Sequence, residues 1–180
     1  MQQASSVNKV SRLVVKIFDH QNDSIPWESI HEGAINFSHH LPTQYIEKRL
    51  DSIRARVAEG FVQAVVAYKG YAYAGSIFFS KQRPNIMRVA IGGIAEASVN
   101  NERAVFEALF QTLHNLDGQQ DLICGTPESI RAGFQPFFNE HGFKHDSSAK
   151  PSSLEIKHTF QDQDAETYAW FRKEYNARNH

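Results

Sequence analysis

The sequence predicts a mixed α/β (α+β) fold, a largely antiparallel sheet of about six to seven strands flanked by helices. Three observations predict it. Short β-branched or aromatic runs recur along the chain, and stripes of apolar residues at helical spacing stand between them. Two of the runs flank Lys69-Gly70, a turn tight enough to demand antiparallel pairing, while later runs are separated by whole helices, which permits parallel pairing.

Ser11–Asp19 (SRLVVKIFD) is short and β-branched and reads as the first strand. Ser24 ahead of Pro26 opens a helix on which Trp27, Ile30, Ala34 and Phe37 fall at helical spacing. A second helix follows Pro42 with Thr43 as N-cap; Ile46, Leu50, Ile53 and Val57 form its apolar stripe, and Gly60 stands at the C′ position. Phe61–Tyr68 and Tyr71–Ser80 form the hairpin about Lys69-Gly70. After the polar turn KQRPN, a long strand is expected from Ile86 to Val99; its Gly92-Gly93 pair marks a bulge or a close approach of another backbone or a ligand. Asn101 then caps a helix with Val105, Ala108, Leu109, Leu113 and Leu116 on one face, closed by Gly118. A buried strand, DLIC, leads to a helix opened by Thr126-Pro127, carrying Ile130, Phe134, Phe137 and Phe138 and stopped at Gly142. A polar linker, HDSSAKPSS, precedes an expected strand at Leu154–Phe160 and a final helix presenting Tyr168, Phe171 and Tyr175.

Length and composition fit one domain over residues 1–180, with its core at about 11–160 and a C-terminal helix in 161–180. A chain this long buries roughly 70% of its unfolded surface and needs neither disulfide nor metal to hold a core. Lys and Arg number 19 against 20 Asp and Glu, a net charge of −1, which argues against a nucleic-acid partner whose phosphates need a basic excess. Cys124 is the only cysteine, which excludes an internal disulfide framework and fits a reducing, cytoplasmic setting. No apolar run approaches the ~18 residues of a membrane span, and the opening MQQASSVNKVSR lacks the apolar core of a signal peptide.

The order of elements, with the residues that punctuate it, resembles the GNAT N-acetyltransferase family from about Ser11 to Phe160. Three segments carry the resemblance. AVVAYKGYAYAGSIFF is similar to the family's second and third strands, IGGIAEASVNNERAVFEALF to its fourth strand and cofactor-binding helix, and PFFNEHGFK to the aromatic-x-x-x-Gly-Phe signature ahead of the sixth strand. The resemblance implies an acyl-CoA cosubstrate, acetyl-CoA or another, with no metal. Its pantetheine arm would lie where the fourth and fifth strands splay, against Ala97, Ser98 and Val99. Its pyrophosphate would rest on amides at the following helix start, around Asn101, Arg103 and Ala104, the anion site that any helix N-terminus offers. This chain departs from the pattern in two places. Where the family loop carries glycines, it reads NNERAVFEAL; and the family tyrosine that protonates the CoA thiolate falls at Phe138, with Arg131 where many members have an asparagine. Thiolate protonation would then come from water, from a side chain such as Tyr175, or not at all.

Glu96 is the candidate general base, on the same strand face as Ile94 by strict alternation; its bland reading is a solvated glutamate. Cys124 has no Cys/His motif around it and reads as core more readily than as a nucleophile. The nine histidines include no i, i+4 pair with a carboxylate, so solvated or capping roles outweigh metal binding, and His141 suits a helix C-terminus. Tyr68, Tyr71 and Tyr73 fit an acceptor pocket or cross-strand packing equally well. The function implied is direct N-acetyl transfer from an acyl-CoA to a small-molecule or peptide amine. The alternatives are a non-catalytic GNAT-like module that binds a ligand or protein, and an acyltransferase using another donor such as an acyl-carrier protein. The terminal aromatic helix is a candidate dimer contact.

Overall fold

The computed structural model describes residues 12–21, 24–116, 119–156 and 167–175. Among them, the strands are β1 (Leu13–Phe18), β2 (Gln63–Lys69), β3 (Ala72–Arg83), β4 (Ile86–Ile94), β5 (Asp121–Pro127), β6 (Lys144–His145) and β7 (Tyr168–Lys173). The helices are α1 (Trp27–Phe37), α2 (Thr43–Ala58), α3 (Glu102–Asn115), α4 (Arg131–Glu140) and a single turn, α5 (Ser153–Ile156). The strands form one sheet in the order β1-β2-β3-β4-β5-β7-β6. Every neighbouring pair is antiparallel except β4–β5, which is parallel. This is the mixed, largely antiparallel sheet that the sequence predicts.

Alternation along the strands divides the core between two faces. Phe78 and Ala90 join Ile30, Ile46, Leu50, Ile53 and Val57 of α1 and α2 on one side. Phe79, Met87, Val89 and Leu122 join Val105, Phe106, Leu109 and Phe137 of α3 and α4 on the other. The α2 stripe is buried as its spacing predicts, and Gly60 ends the helix at φ +84. Bonds from Phe61 N to Arg56 O and from Gly60 N to Val57 O close that end as a Schellman motif.

Four expectations are corrected. β4 ends at Ile94, and Glu96–Asn101 form a 3-10 turn rather than the end of a long strand. The last rung to β3 is Ala95 N to Ala74 O, after which the backbone pairs with no strand among the described residues, and Glu-Ala-Ser offers no β-branched residue to extend it. Thr126-Pro127 closes β5, and α4 begins only at Arg131, after a 3-10 turn at Glu128–Ile130. The expected strand from Leu154 begins instead as α5, with 157–160 outside the described residues. The expected final helix is β7, inserted between β5 and β6. Its residues point alternately to two cores, Ala169 and Phe171 to one and Trp170 to another.

Candidate functional site

The parallel β4–β5 ladder runs from Ile86↔Asp121 to Val89↔Cys124 and stops there, although β4 continues to Ile94 and β5 to Pro127. Two glycines explain how β4 leaves its neighbour. Between Ile77↔Ile91 and Ser76↔Gly93 the register with β3 shifts, which leaves Gly92 as the extra residue of a bulge that turns the strand. At Gly93 the backbone of α1 comes so close that a Cβ would run into Gly33 and Ala34. The sequence predicts one or the other event at this pair, and both occur. Side chains supply bonds to carbonyls of the stretch that β5 does not pair: Asn36 Nδ2 donates to Ile94 O at 2.9 Å and Arg49 Nη1 to Ile91 O at 3.1 Å.

The parted strands open onto a cavity of about 330 Å³. Its walls come from β4 (Arg88–Ile91), β5 (Ile123–Pro127), α2 (Tyr45, Arg49), α4 (Phe134, Phe138) and β7 (Tyr168, Trp170). Phe37, at the end of α1, reaches through the gap: its ring lies 5.8 Å from Phe134, 5.2 Å from Phe137 and 5.7 Å from Phe106 of α3. Aromatic contacts thus join the two faces of the sheet where backbone pairing is lost.

The residues singled out from the sequence divide between this cavity and the α3 start. Glu96 is exposed in the 3-10 turn and does not line the cavity. Ala97, Ser98 and Val99 share that turn, Ser98 buried and its neighbours exposed, so the open strand edge is Ala90–Ile94. Asn101 precedes α3 without any side-chain capping bond, which leaves the first amides of that helix uncapped by it. Arg103 and Ala104 are exposed there, Arg103 Nε lying 3.3 Å from Glu107. Cys124 lines the cavity, but burial pushes its thiol up to about 12, against the pull of the Arg49 charge, so it stays protonated. Phe138 lies in the wall, stacked on Phe171 at 4.2 Å. Tyr175 is away from the cavity, its amide bonded to Asp121 at the start of β5. Tyr68, Tyr71 and Tyr73 do not line the cavity either; Tyr73 bonds Ser76 at 2.7 Å and Tyr71 is fully exposed. His141 is at the α4 C-terminus as expected, but buried rather than solvated. Among the described residues, no group of three His, Cys, Asp or Glu side chains is placed to hold a metal ion, and no helix is long and apolar enough to cross a membrane.

Sequence reasoning missed Arg49, Arg88, Tyr45, Tyr168 and Trp170. Arg88 left a readable signal: a lone arginine in the apolar run IMRVAIGGI must be buried with a partner. It is, with Nε 3.0 Å and Nη2 2.9 Å from Glu155, and Nη1 bonded to Ala149 O. Arg49, on the flank of the α2 stripe, looks like any solvated helix residue, and nothing local betrays it.

No protein-family model matches the sequence and no curated protein matches it. Solved structures match the fold. A GNAT-family acetyltransferase from Staphylococcus aureus Mu50 is 13% identical over 89% of this chain and 99% of its own, with TM-score 0.56. A paia N-acetyltransferase from Thermoplasma acidophilum, solved with coenzyme A, is 11% identical over 91% and 99%, with TM-score 0.57. A GNAT-family acetyltransferase from Elizabethkingia anophelis with acetyl-CoA bound is 12% identical over 91% and 98%, with TM-score 0.52. At such identities the likeness is one of fold.

Proposed function

We propose that this chain, which has the GNAT N-acyltransferase fold, transfers an acyl group from an acyl-CoA to an amine held between the parted strands. The observation that carries the reading is the β4–β5 ladder that stops at Val89↔Cys124 and opens onto a cavity walled by both strands. The pantetheine arm follows the open edge Ala90–Ile94. The phosphates rest on the turn Ala97–Val99 and the α3 start, where the Arg103 and Ala104 amides serve as donors and Arg103 supplies charge, without a glycine cradle; the Glu102 amide that follows Asn101 is already bonded to Val99 O. Transfer is direct. The amine nitrogen attacks the thioester carbonyl carbon, the C–S bond breaks, and the thiolate leaves; a protonated, buried Cys124 takes no part as a nucleophile. Holding the two reactants in the gap supplies the rate through proximity. Glu96 stands in solvent outside the cavity, so water takes the amine proton, and water also protonates the thiolate because Phe138 has no hydroxyl.

Calorimetry with acetyl-CoA tests the reading. The wild type binds, and Arg103→Ala weakens binding about tenfold, the effect of one exposed phosphate contact, without lowering thermal stability. No heat of binding overturns the reading; unchanged affinity in the variant moves the phosphates off this helix start. A second reading, a GNAT-fold module that binds without catalysis, is favoured by the glycine-free turn and by Phe37 bridging α3 and α4 through the gap. Binding without transfer to any amine would select it.

A further inference from the structure

We infer that the cavity takes an amine bearing a carboxylate, an α-amino acid or a molecule like one, and that Arg49 is the residue that binds the carboxylate. That the ligand's amine is then acylated rests on the acyl-transfer reading above; the carboxylate site does not.

The charges around the cavity are one-sided. Lys48, Arg49 and Arg88 line it, and among the described residues no aspartate or glutamate does. Arg88 is already neutralised by Glu155. Arg49 has no carboxylate partner among the described residues; its one assigned bond runs from Nη1 to Ile91 O, two positions beyond the last β4–β5 pair. That bond pins the guanidinium at the open edge of β4 and uses one of its five N–H donors. A half-buried guanidinium fixed in an aromatic-walled space attracts an anion more strongly than one in water, and its fork matches a carboxylate in two parallel bonds. The same charge also acts on Cys124, at the end of the paired strands.

The remaining walls define the rest of the ligand. Phe134, Ile130, Tyr168 and Trp170 present apolar and aromatic surface. A volume of about 330 Å³ is near the lower end of small-molecule sites, the size for one amino acid rather than a folded protein's lysine loop. A polyamine, cationic along its length, would meet Lys48 and Arg49 unfavourably.

The test compares the twenty α-amino acids with their α-carboxamides, which keep the amine and body but remove the negative charge. Acetyl transfer from acetyl-CoA by the wild type is expected to favour at least one acid over its amide by about 30-fold in kcat/KM, the yield of a charge-assisted bond pair. Arg49→Gln, which retains a donor for Ile91 O, should bring that ratio close to one through KM. Arg49→Lys, with the charge but not the fork, should fall between. In parallel, thermal shift without any CoA reads binding of the acids, their N-acetyl derivatives and the amides. Acids and N-acetyl acids that stabilise the wild type but not Arg49→Gln support the site even if calorimetry shows no CoA binding, in which case only the acyl-transfer reading falls. Equal treatment of acids and amides by the wild type, or no stabilisation by any acid, overturns the inference whether or not CoA binds. The wild-type comparison needs no variant to fold.

Discussion

The two halves of the β4–β5 pair share strands and differ in what holds them. In the lower half, Ile86–Val89 against Asp121–Cys124, backbone hydrogen bonds join the strands and a buried ion pair braces them from one side. In the upper half, Ala90–Ile94 and Gly125–Pro127, the ladder is gone; Asn36 and Arg49 reach in to bond two carbonyls, and Phe37, Phe134 and Phe137 fill part of the gap. Opening a sheet leaves backbone groups without partners, and a chain tolerates it only where side chains or a ligand replace them. The paired half therefore has a fixed geometry, and the open half is a place where a ligand can bond to main chain.

The paired half should break hardest at Glu155. This carboxylate is 5% exposed and Arg88 is 3% exposed; Arg83 also pairs with Glu155 from the outside. Burial works to raise the Glu155 carboxyl, and the Ser152 amide and Arg88 more than offset it, so it lies below its ordinary value. Glu155→Gln leaves a buried guanidinium without its countercharge, a loss of about 3–5 kcal/mol in urea unfolding. Arg88→Met with Glu155→Leu should recover more than half of that loss, because apolar groups replace both charges. If the single variant loses under 1 kcal/mol, the pair is not the brace of this half.

The open half should break at Gly93. An added methyl meets the α1 backbone, which has no flexible end to yield, so Gly93→Ala should cost about 2–3 kcal/mol and lift α1 off β4. Because Asn36 and the Phe37 ring ride on α1, acetyl-CoA affinity should fall with stability in this variant, whereas Glu155→Gln at low temperature should retain it. Equal losses of affinity in both would mean that the halves do not act separately.

This division also marks what was legible in the sequence. The α2 stripe with Gly60, the Lys69-Gly70 hairpin, and Gly92-Gly93 were readable because each is settled by residues within one turn or strand. β7 was not. Tyr168, Phe171 and Tyr175 fit helical spacing, while Tyr168, Trp170 and Arg172 fit alternation equally well, and the choice fell to an open slot between β5 and β6 that only the whole sheet defines. The end of β4 is misread for a related reason: IAEASV alternates, but no strand among the described residues pairs with it beyond Ile94. The site was the least legible part. Arg49, Arg88, Cys124 and Trp170 come from four elements, and topology rather than spacing brings them around one space.

The smallest expected effect separates the α3/α4 face from both halves. His141 is 3% exposed, its ring 4.6 Å from Phe137, 5.6 Å from Phe110 and 5.7 Å from Phe106, and its Nε2 has no hydrogen-bond partner among the described residues. Burial lowers its pKa from the ordinary value of 6.5; Glu140 and Glu107 act to raise it, and Lys173 and Arg103 act with burial. The neutral ring is thus the folded form. Well above pH 6.5 the ring is neutral in folded and unfolded chains alike, so its full contribution to stability is present there. As pH falls through 6.5 toward the lower folded value, the unfolded chain takes up a proton that the folded chain resists, and stability declines. His141→Phe keeps an aromatic ring in the cluster and removes the titration. Between pH 7.5 and 5 the wild-type urea midpoint should fall more steeply than that of the variant, with the two curves parallel above pH 7. A wild-type curve no steeper than the variant's would show that His141 titrates alike in folded and unfolded chains. The same substitution should leave acetyl-CoA affinity at pH 7.5 unchanged, because His141 does not line the cavity and its neutral ring adds no charge beside Arg103 at that pH.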